Sequence, residues 1–201
     1  MMKSKPSFFY EKKIGGIILG IDEAGRGCIV GPVVAAGIIL NNKIDISEIN
    51  DSKKLSTKKR EEVYRYLISH CYYITASSSV EEIDRLNILQ ASLLAMRRVI
   101  RKTKQNFDHI LVDGNVNPDV SDHNIINLVK GDSKSLTVAA ASIIAKATRD
   151  KIMENLDNEF PQYHWKQNKG YGTSKHYHTI KEYGVCIHHR KSFLKKILPQ
   201  K

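Results

Sequence analysis

The sequence predicts an α/β fold, a mixed five-stranded sheet covered by helices on both faces. Three observations carry this. Five short apolar, β-branched runs are bounded by Gly, Asp and Asn clusters. The segments between and after them repeat apolar residues every three or four positions, as helices do. Three strands come early and are followed by alternating helix and strand, an order that mixed sheets show.

The first run, residues 17–19 (IIL), reads as a buried strand, and residues 30–40 (VGPVVAAGIIL) as a second. Between them lies Gly20-Ile21-Asp22-Glu23-Ala24-Gly25-Arg26-Gly27, two adjacent acids and a glycine turn inside an otherwise apolar segment. Residues 41–54 are polar and loop-like, ending in Asp51-Ser52-Lys53-Lys54. A helix starts with Ser56 or Thr57 as N-cap, carries Glu61 and Glu62 early and places Val63, Tyr66 and Leu67 on one face. Residues 71–75 (CYYIT) form the third strand, and residues 80–104 follow one helical period throughout. Residues 109–112 (HILV) and 124–129 (NIINLV) are two more strands, ending at Asp113-Gly114-Asn115 and Lys130-Gly131-Asp132-Ser133-Lys134. From 136 to about 156 the pattern is helical again, and its alanine-rich first turns imply close packing on the sheet. Repeats, low-complexity tracts and long linkers are absent. The weakest boundary lies near Pro161, dividing residues 1–160 from a basic, aromatic region, 161–201, packed on them.

At 201 residues with 41% hydrophobic content, the chain suits one core and is not disordered in composition. Residues 1–13 lack the apolar stretch of a signal peptide, and residues 14–40 are too interrupted by charge to span a bilayer. Three distant cysteines, Cys28, Cys71 and Cys186, fit reduced thiols in the cytoplasm, not a disulfide framework. The net charge of +11 is concentrated late: residues 161–201 hold nine lysines and arginines against the single acid Glu182. Tyr163, Trp165, Tyr171, Tyr177, Tyr183 and Phe193 are interleaved with them. Cations beside rings suit phosphates beside sugars and bases, although a basic run also serves as a solvated face.

Asp22 and Glu23, Asp113 and Asp132 each stand at a predicted strand end, where sites gather in open α/β sheets. Converging carboxylates raise one another's pKa unless cations enter, and oxygen-only ligands suit hard ions such as Mg²⁺. Two ions about 4 Å apart can clamp a phosphodiester. Neighbours on a regular strand point to opposite faces, so Asp22 and Glu23 share a site only if the strand ends or bulges there, as Gly25 and Gly27 suggest.

These motifs resemble those of type 2 ribonuclease H, specifically ribonuclease HII: GIDEAGRG followed by GPVVAA, DSKKLS at 51–56, VDGN at 112–115, KGDSK at 130–134 followed by AASIIAKATRD, GYGT at 170–173 and HHRKSF at 188–193. The resemblance spans nearly the whole chain. It implies an RNase H-like sheet with a short helical C-terminal region. It also implies an endoribonuclease that hydrolyses RNA in RNA–DNA hybrids and cuts 5′ of ribonucleotides embedded in DNA, leaving 3′-hydroxyl and 5′-phosphate ends. Asp22, Glu23, Asp113 and Asp132 then resemble the catalytic acids, holding two Mg²⁺ or Mn²⁺ ions. Gly25-Arg26-Gly27 resembles the backbone that reads the ribose 2′-hydroxyl, and Tyr171 the tyrosine that stacks on the neighbouring deoxyribose. Lys53, Lys54 and Lys134 are candidate phosphate contacts. Cys28 and Ile29 depart from the family, which usually has proline and leucine there. The roughly 13 residues before the first strand, against about 50 or more for a domain, point away from ribonuclease HIII, which carries an extra N-terminal domain. A monomer off the membrane is expected, with a clamp or polymerase contact through the tail, residues 193–198. Two rivals are a non-catalytic nucleic-acid binder using the basic segment and another RNase H-like nuclease, such as a junction resolvase.

Overall fold

β-Branched and small apolar residues build the middle of the sheet. The structure, a computed structural model, describes residues 5–41 and 44–195. Its five strands are β1 (Ile18–Ala24), β2 (Val33–Ile39), β3 (Tyr72–Ser78), β4 (His109–Asp113) and β5 (Asn124–Leu128). They lie in the order β3-β2-β1-β4-β5. β2 is antiparallel to both β1 and β3, while β1, β4 and β5 run parallel, so the sheet is mixed as expected. β1, β2 and the middle of β4 are buried on both faces, which explains why they read as continuous apolar runs.

Seven helices are described: α1 (Phe9–Ile14), α2 (Thr57–His70), α3 (Val80–Leu86), α4 (Ile88–Lys102), α5 (Leu136–Glu159), α6 (Trp165–Asn168) and α7 (Ser174–Tyr183). One face of the sheet packs on α5 and α2 through Ala36, Ile38, Val63, Leu67, Ala140 and Ile144. The other packs on α4 through Leu19, Ile21, Met96, Val99, Ile110 and Val112. α5 is buried all round in its first ten residues, Thr137 and Ser142 included, because it crosses the centre of the molecule. Its start touches β1 so closely that a Cβ on Gly20 would stand 2.5 Å from Thr137 Cγ2. Glu11 of α1, a helix the sequence pattern does not reveal, accepts from Ser135 Oγ at 2.6 Å and Thr137 N at 2.9 Å. The carboxylate thus caps the positive end of α5.

Three boundaries differ from expectation. β1 continues through the acids to Ala24, since β2 offers a regular antiparallel partner as far as Val34. β2 begins only at Val33, and residues 28–32 form a loop. The helix expected over 80–104 is broken at Asn87, which takes φ +69° while its side chain accepts from Gln90 N and caps α4. Helical period alone does not detect such a break, because the apolar spacing continues across it.

Residues 161–195 pack by an aromatic cluster, with Tyr163, Trp165, Ile180 and Leu194 against Ile29, Val30 and Met153. Trp165 is fully buried, stacks on Tyr163 at 5.0 Å and donates from Nε1 to His176 Nε2 at 3.1 Å, so it is a packing anchor. The buried His189 accepts from Cys186 N at 3.0 Å through Nδ1, leaving Nε2 without a partner. The tail reading at 193–198 falls largely outside the described residues, which end at 195. No helix among the described residues is long and apolar enough to cross a membrane.

Burial first, then the nearby His176, hold the His189 pKa down to about 4. Its folded value lies below the unfolded one, so stability present above pH ~6.5 is lost as pH falls toward about 4. We expect urea unfolding followed by Trp165 fluorescence to show a loss on the order of 2 kcal/mol between pH 7 and pH 5 from this group. His189→Asn should flatten that slope; an unchanged slope would exclude His189 as its source.

Candidate active site

The parallel register of β1 and β4 pairs Ile21 with Val112, which sets Asp22 beside Asp113 at the carboxyl ends of both strands. Asp132 arrives from the short 3₁₀ turn Gly131–Ser133 that follows β5. One carboxylate oxygen from each of Asp22, Asp113 and Asp132 lies within 4.8 Å of the others. Asp22 and Asp132 are buried, and Asp113 is half-buried. Backbone N–H groups hold two of them: Glu23 N donates to Asp22 Oδ1 and Gly131 N to Asp113 Oδ1, both at 2.7 Å. Lys53 Nζ reaches Asp132 Oδ2 at 3.1 Å.

Burial first, then the charges of Glu23 and Asp113, raises the Asp22 pKa well above the ordinary carboxylate value. Asp113 is raised too, by burial and then Asp132, against the Gly131 N–H bond. Three converging carboxylates, two of them buried, with one exposed lysine beside them are electrostatically unfinished. The donor set is oxygen only, which fits a hard divalent cation and not zinc on thiolates or imidazoles.

The strand around Glu23 departs from the expected picture. The strand neither ends nor bulges at Asp22-Glu23, since both residues keep register with Ala36 and Ala35. Glu23 is not among the three acids whose oxygens gather within 4.8 Å, yet its charge raises the Asp22 pKa and the Asp113 charge in turn raises its own. Its Oε1 accepts from Arg26 Nη1 at 3.1 Å, while Oε2 is buried without a hydrogen bond. Burial outweighs the Arg26 charge and raises its pKa. That orphaned oxygen is a second sign of a site built for a cation.

Next to the acids, Gly25 turns the chain with φ +100°, and Arg26 and Gly27 are exposed. A Cβ on Gly27 would meet only Tyr171 Cε1, at 4.0 Å, so the turn and the half-exposed ring form one wall. Lys146 of α5 lies 5.8 Å above that ring. On the other side of Asp132, Lys53, Lys54 and Lys134 line a cavity of about 440 Å³ with Asp51, Lys130 and Ser133. Lys130 and Lys146 escape sequence reading as single lysines among 32 basic residues. Arg149 and Arg190, fully buried beneath the glycine turn, also escape it, although both lie in quoted motifs.

Comparison with known proteins agrees with this geometry. Residues 19–196 match the family described as Ribonuclease HII. The chain is 48% identical over 189 residues to Ribonuclease HII of Wolbachia sp. subsp. Brugia malayi (strain TRS), covering 94% of this chain and 93% of that protein. It is equally identical to Ribonuclease HII of Rickettsia bellii (strain OSU 85-389), covering 94% and 95%. Among solved structures it is similar to RNase HII of Archaeoglobus fulgidus, determined in complex with PCNA, with TM-score 0.75, 28% identity and 92% and 97% coverage. The fold also matches Bst-RNase HIII in complex with Mn²⁺, with TM-score 0.71, 18% identity and 89% and 67% coverage.

Mutual repulsion among the acids predicts that a divalent ion stabilises the protein. At about 100 times its dissociation constant, Mg²⁺ or Mn²⁺ should add about 2.7 kcal/mol, visible as a rise in Tm by calorimetry. Asp22→Asn should raise Tm without metal, by about 2–4 °C for each 1 kcal/mol of repulsion relieved, and weaken the response to metal. A lower metal-free Tm for this variant would contradict the repulsive cluster.

Proposed function

The chain belongs to the ribonuclease HII family, a metal-dependent endonuclease of RNA–DNA hybrids, and from that premise we propose that it also cuts duplex DNA at single embedded ribonucleotides. Cleavage falls on the 5′ side of the ribonucleotide and leaves a 3′-hydroxyl and a 5′-phosphate. The observation that carries this reading is the gathering of Asp22, Asp113 and Asp132 within 4.8 Å, beside a glycine turn that shares a wall with Tyr171.

Asp22, Glu23, Asp113 and Asp132 are assigned as the residues that hold two divalent ions, Mg²⁺ or Mn²⁺. When bound, the ions activate the attacking water and stabilise the leaving oxygen. The residues of the chain do the rest. Gly25, Arg26 and Gly27 present backbone to the ribose, whose 2′-hydroxyl distinguishes RNA from DNA at a given position. Tyr171 stacks on the neighbouring sugar and keeps the scissile phosphate in register. Lys53, Lys54 and Lys134, joined by Lys130, bind phosphates without regard to sequence.

Residues 161–201 are assigned as the substrate-binding region on a catalytic unit of residues 1–160. Their excess of lysine and arginine suits a duplex backbone, and the enzyme is read as a cytoplasmic monomer. Likeness to the Archaeoglobus fulgidus enzyme solved with PCNA supports a clamp contact through the tail, whose residues 196–201 lie outside the described part.

A gel assay on a duplex with one internal ribonucleotide tests this reading. Cleavage should need divalent metal, stop with EDTA and yield a single 3′-hydroxyl product. Asp113→Asn should lower kcat by about 10²–10³-fold or more, the cost of losing one electrostatic stabiliser, with folding retained. Wild-type cutting by this variant under saturating Mg²⁺ would overturn the assignment, as would preferential cutting of branched DNA.

A further inference from the structure

Two of the largest buried side chains are arginines bonded to no carboxylate. Arg149 of α5 and Arg190, within the His188–Phe193 motif, are both 0% exposed. Among the described residues, neither forms an ion pair. Every hydrogen bond they donate goes to a backbone carbonyl. Arg149 gives Nε to Pro32 O at 3.2 Å, Nη1 to Lys169 O at 2.7 Å and Nη2 to Val30 O at 3.0 Å. Arg190 gives Nε to Gly31 O at 2.9 Å, and Nη1 to Arg26 O at 3.1 Å and Cys28 O at 2.6 Å. Its own N–H donates to Ile29 O at 2.8 Å.

Burying an unpaired guanidinium is costly, so a fold that keeps two needs a return for them. Here the return is the shape of one loop, residues 25–32. A trans peptide points its C=O and its N–H in opposite directions. With Arg26 O drawn down onto Arg190, the N–H of exposed Gly27 in the same peptide must point away, toward solvent. Among the described residues that N–H has no protein partner. Cys28 O obeys the same rule: it faces Arg190, and the N–H of its peptide donates outward to Gly170 O at 2.9 Å. Arg149 works beneath Gly25, where a Cβ would stand 2.1 Å from its Nε. Through Lys169 O it also holds the segment that carries Tyr171 two residues later. One arginine therefore aims the peptide and the other fixes the spacing between the turn and the ring.

We propose that Arg149 and Arg190 are positioning residues for ribose discrimination: they act on substrate only through the loop they hold, by turning its carbonyls inward and its Gly27 N–H outward. The proposal rests on the reading that this turn recognises the ribose. Neither residue touches the metal-binding acids, so their effect falls on selectivity rather than on water activation. Arg190 is further supported from α3, where Asp84 accepts from Lys191 N and Ser192 N, each at 3.0 Å.

The test compares two quantities for wild type, Arg190→Lys and Arg149→Lys: kcat/KM on a duplex with one ribonucleotide, and Ki of the same duplex made wholly of DNA. Lysine keeps the charge and loses the planar fork. Each variant should lose about three- to tenfold in kcat/KM, the worth of one misdirected hydrogen bond, with Ki held within about twofold because phosphate contacts are untouched. A fall in kcat/KM matched by an equal-fold rise in Ki, or no fall in kcat/KM, overturns the proposal. Should a lysine variant fail to fold, Asp84→Asn decides in the same way, since it loosens the turn beside Arg190 without touching a buried charge. A wild-type enzyme that does not cut at the ribonucleotide would instead sink the functional reading itself, and the two failures are thereby distinguished.

Discussion

Repulsion between carboxylates that the backbone refuses to separate is the constraint around which this molecule is arranged. Asp22 and Asp113 are register neighbours on parallel strands, and Asp132 is brought in by the turn after the next strand. None of the three can retreat without breaking the central ladder or the Gly131 contact to Asp113. The fold tolerates them in three ways. It leaves Asp113 half in solvent, supplies backbone N–H groups to Asp22 and Asp113, and places the Lys53 ammonium beside Asp132. These measures are weaker than a pair of buried counter-charges, since Lys53 is exposed and a surface ion pair contributes ~1 kcal/mol or less. A cation is the remaining remedy, and the oxygen-only donor set selects a hard one.

Positive charge is treated in the opposite way a short distance off. Arg149 and Arg190 are withdrawn from solvent altogether and bonded to carbonyl oxygens rather than carboxylates, with Arg190 Nη2 left without a partner. Burial and the neighbouring Arg149 lower the Arg190 pKa to about 10, which still leaves it charged at neutral pH. The negative ends of several peptide dipoles converge on this pair while the carboxylates collect across the turn. A loop lying between buried cations and an acidic pocket has little freedom to choose another shape. Cys28 fits this arrangement. Its N–H closes the turn onto Gly25 O at 3.4 Å, a bond proline cannot make, and its thiol donates to Lys169 O at 3.6 Å.

Much of this was legible in the sequence, for reasons that particular residues illustrate. The strands are short apolar runs with few competing readings, and acids placed at their ends announce themselves against that background. Asp22, Asp113 and Asp132 meet as anticipated. The strand end was placed too early because Gly25 and Gly27 suggested a break at the acids, whereas pairing with β2 carries β1 on to Ala24. Asn87 hid a helix break because its αL backbone and its capping side chain act through geometry, leaving the apolar period intact. Arg149 and Arg190 looked like two more members of a basic composition. Only three-dimensional packing separates a buried guanidinium holding carbonyls from a solvated one.

The order of the chain adds a temporal consequence. β1, the middle strand, is synthesised before its parallel partner β4, which starts at residue 109, and Arg190 comes later still. Such long-range closure makes assembly slow relative to local helix formation. A nascent chain therefore carries Asp22 long before anything can hold a metal beside it, and it completes the pocket before the loop above it is anchored. The shape of the glycine turn is thus settled later than the acidic pocket beside it, because Arg190 follows all three acids in the chain.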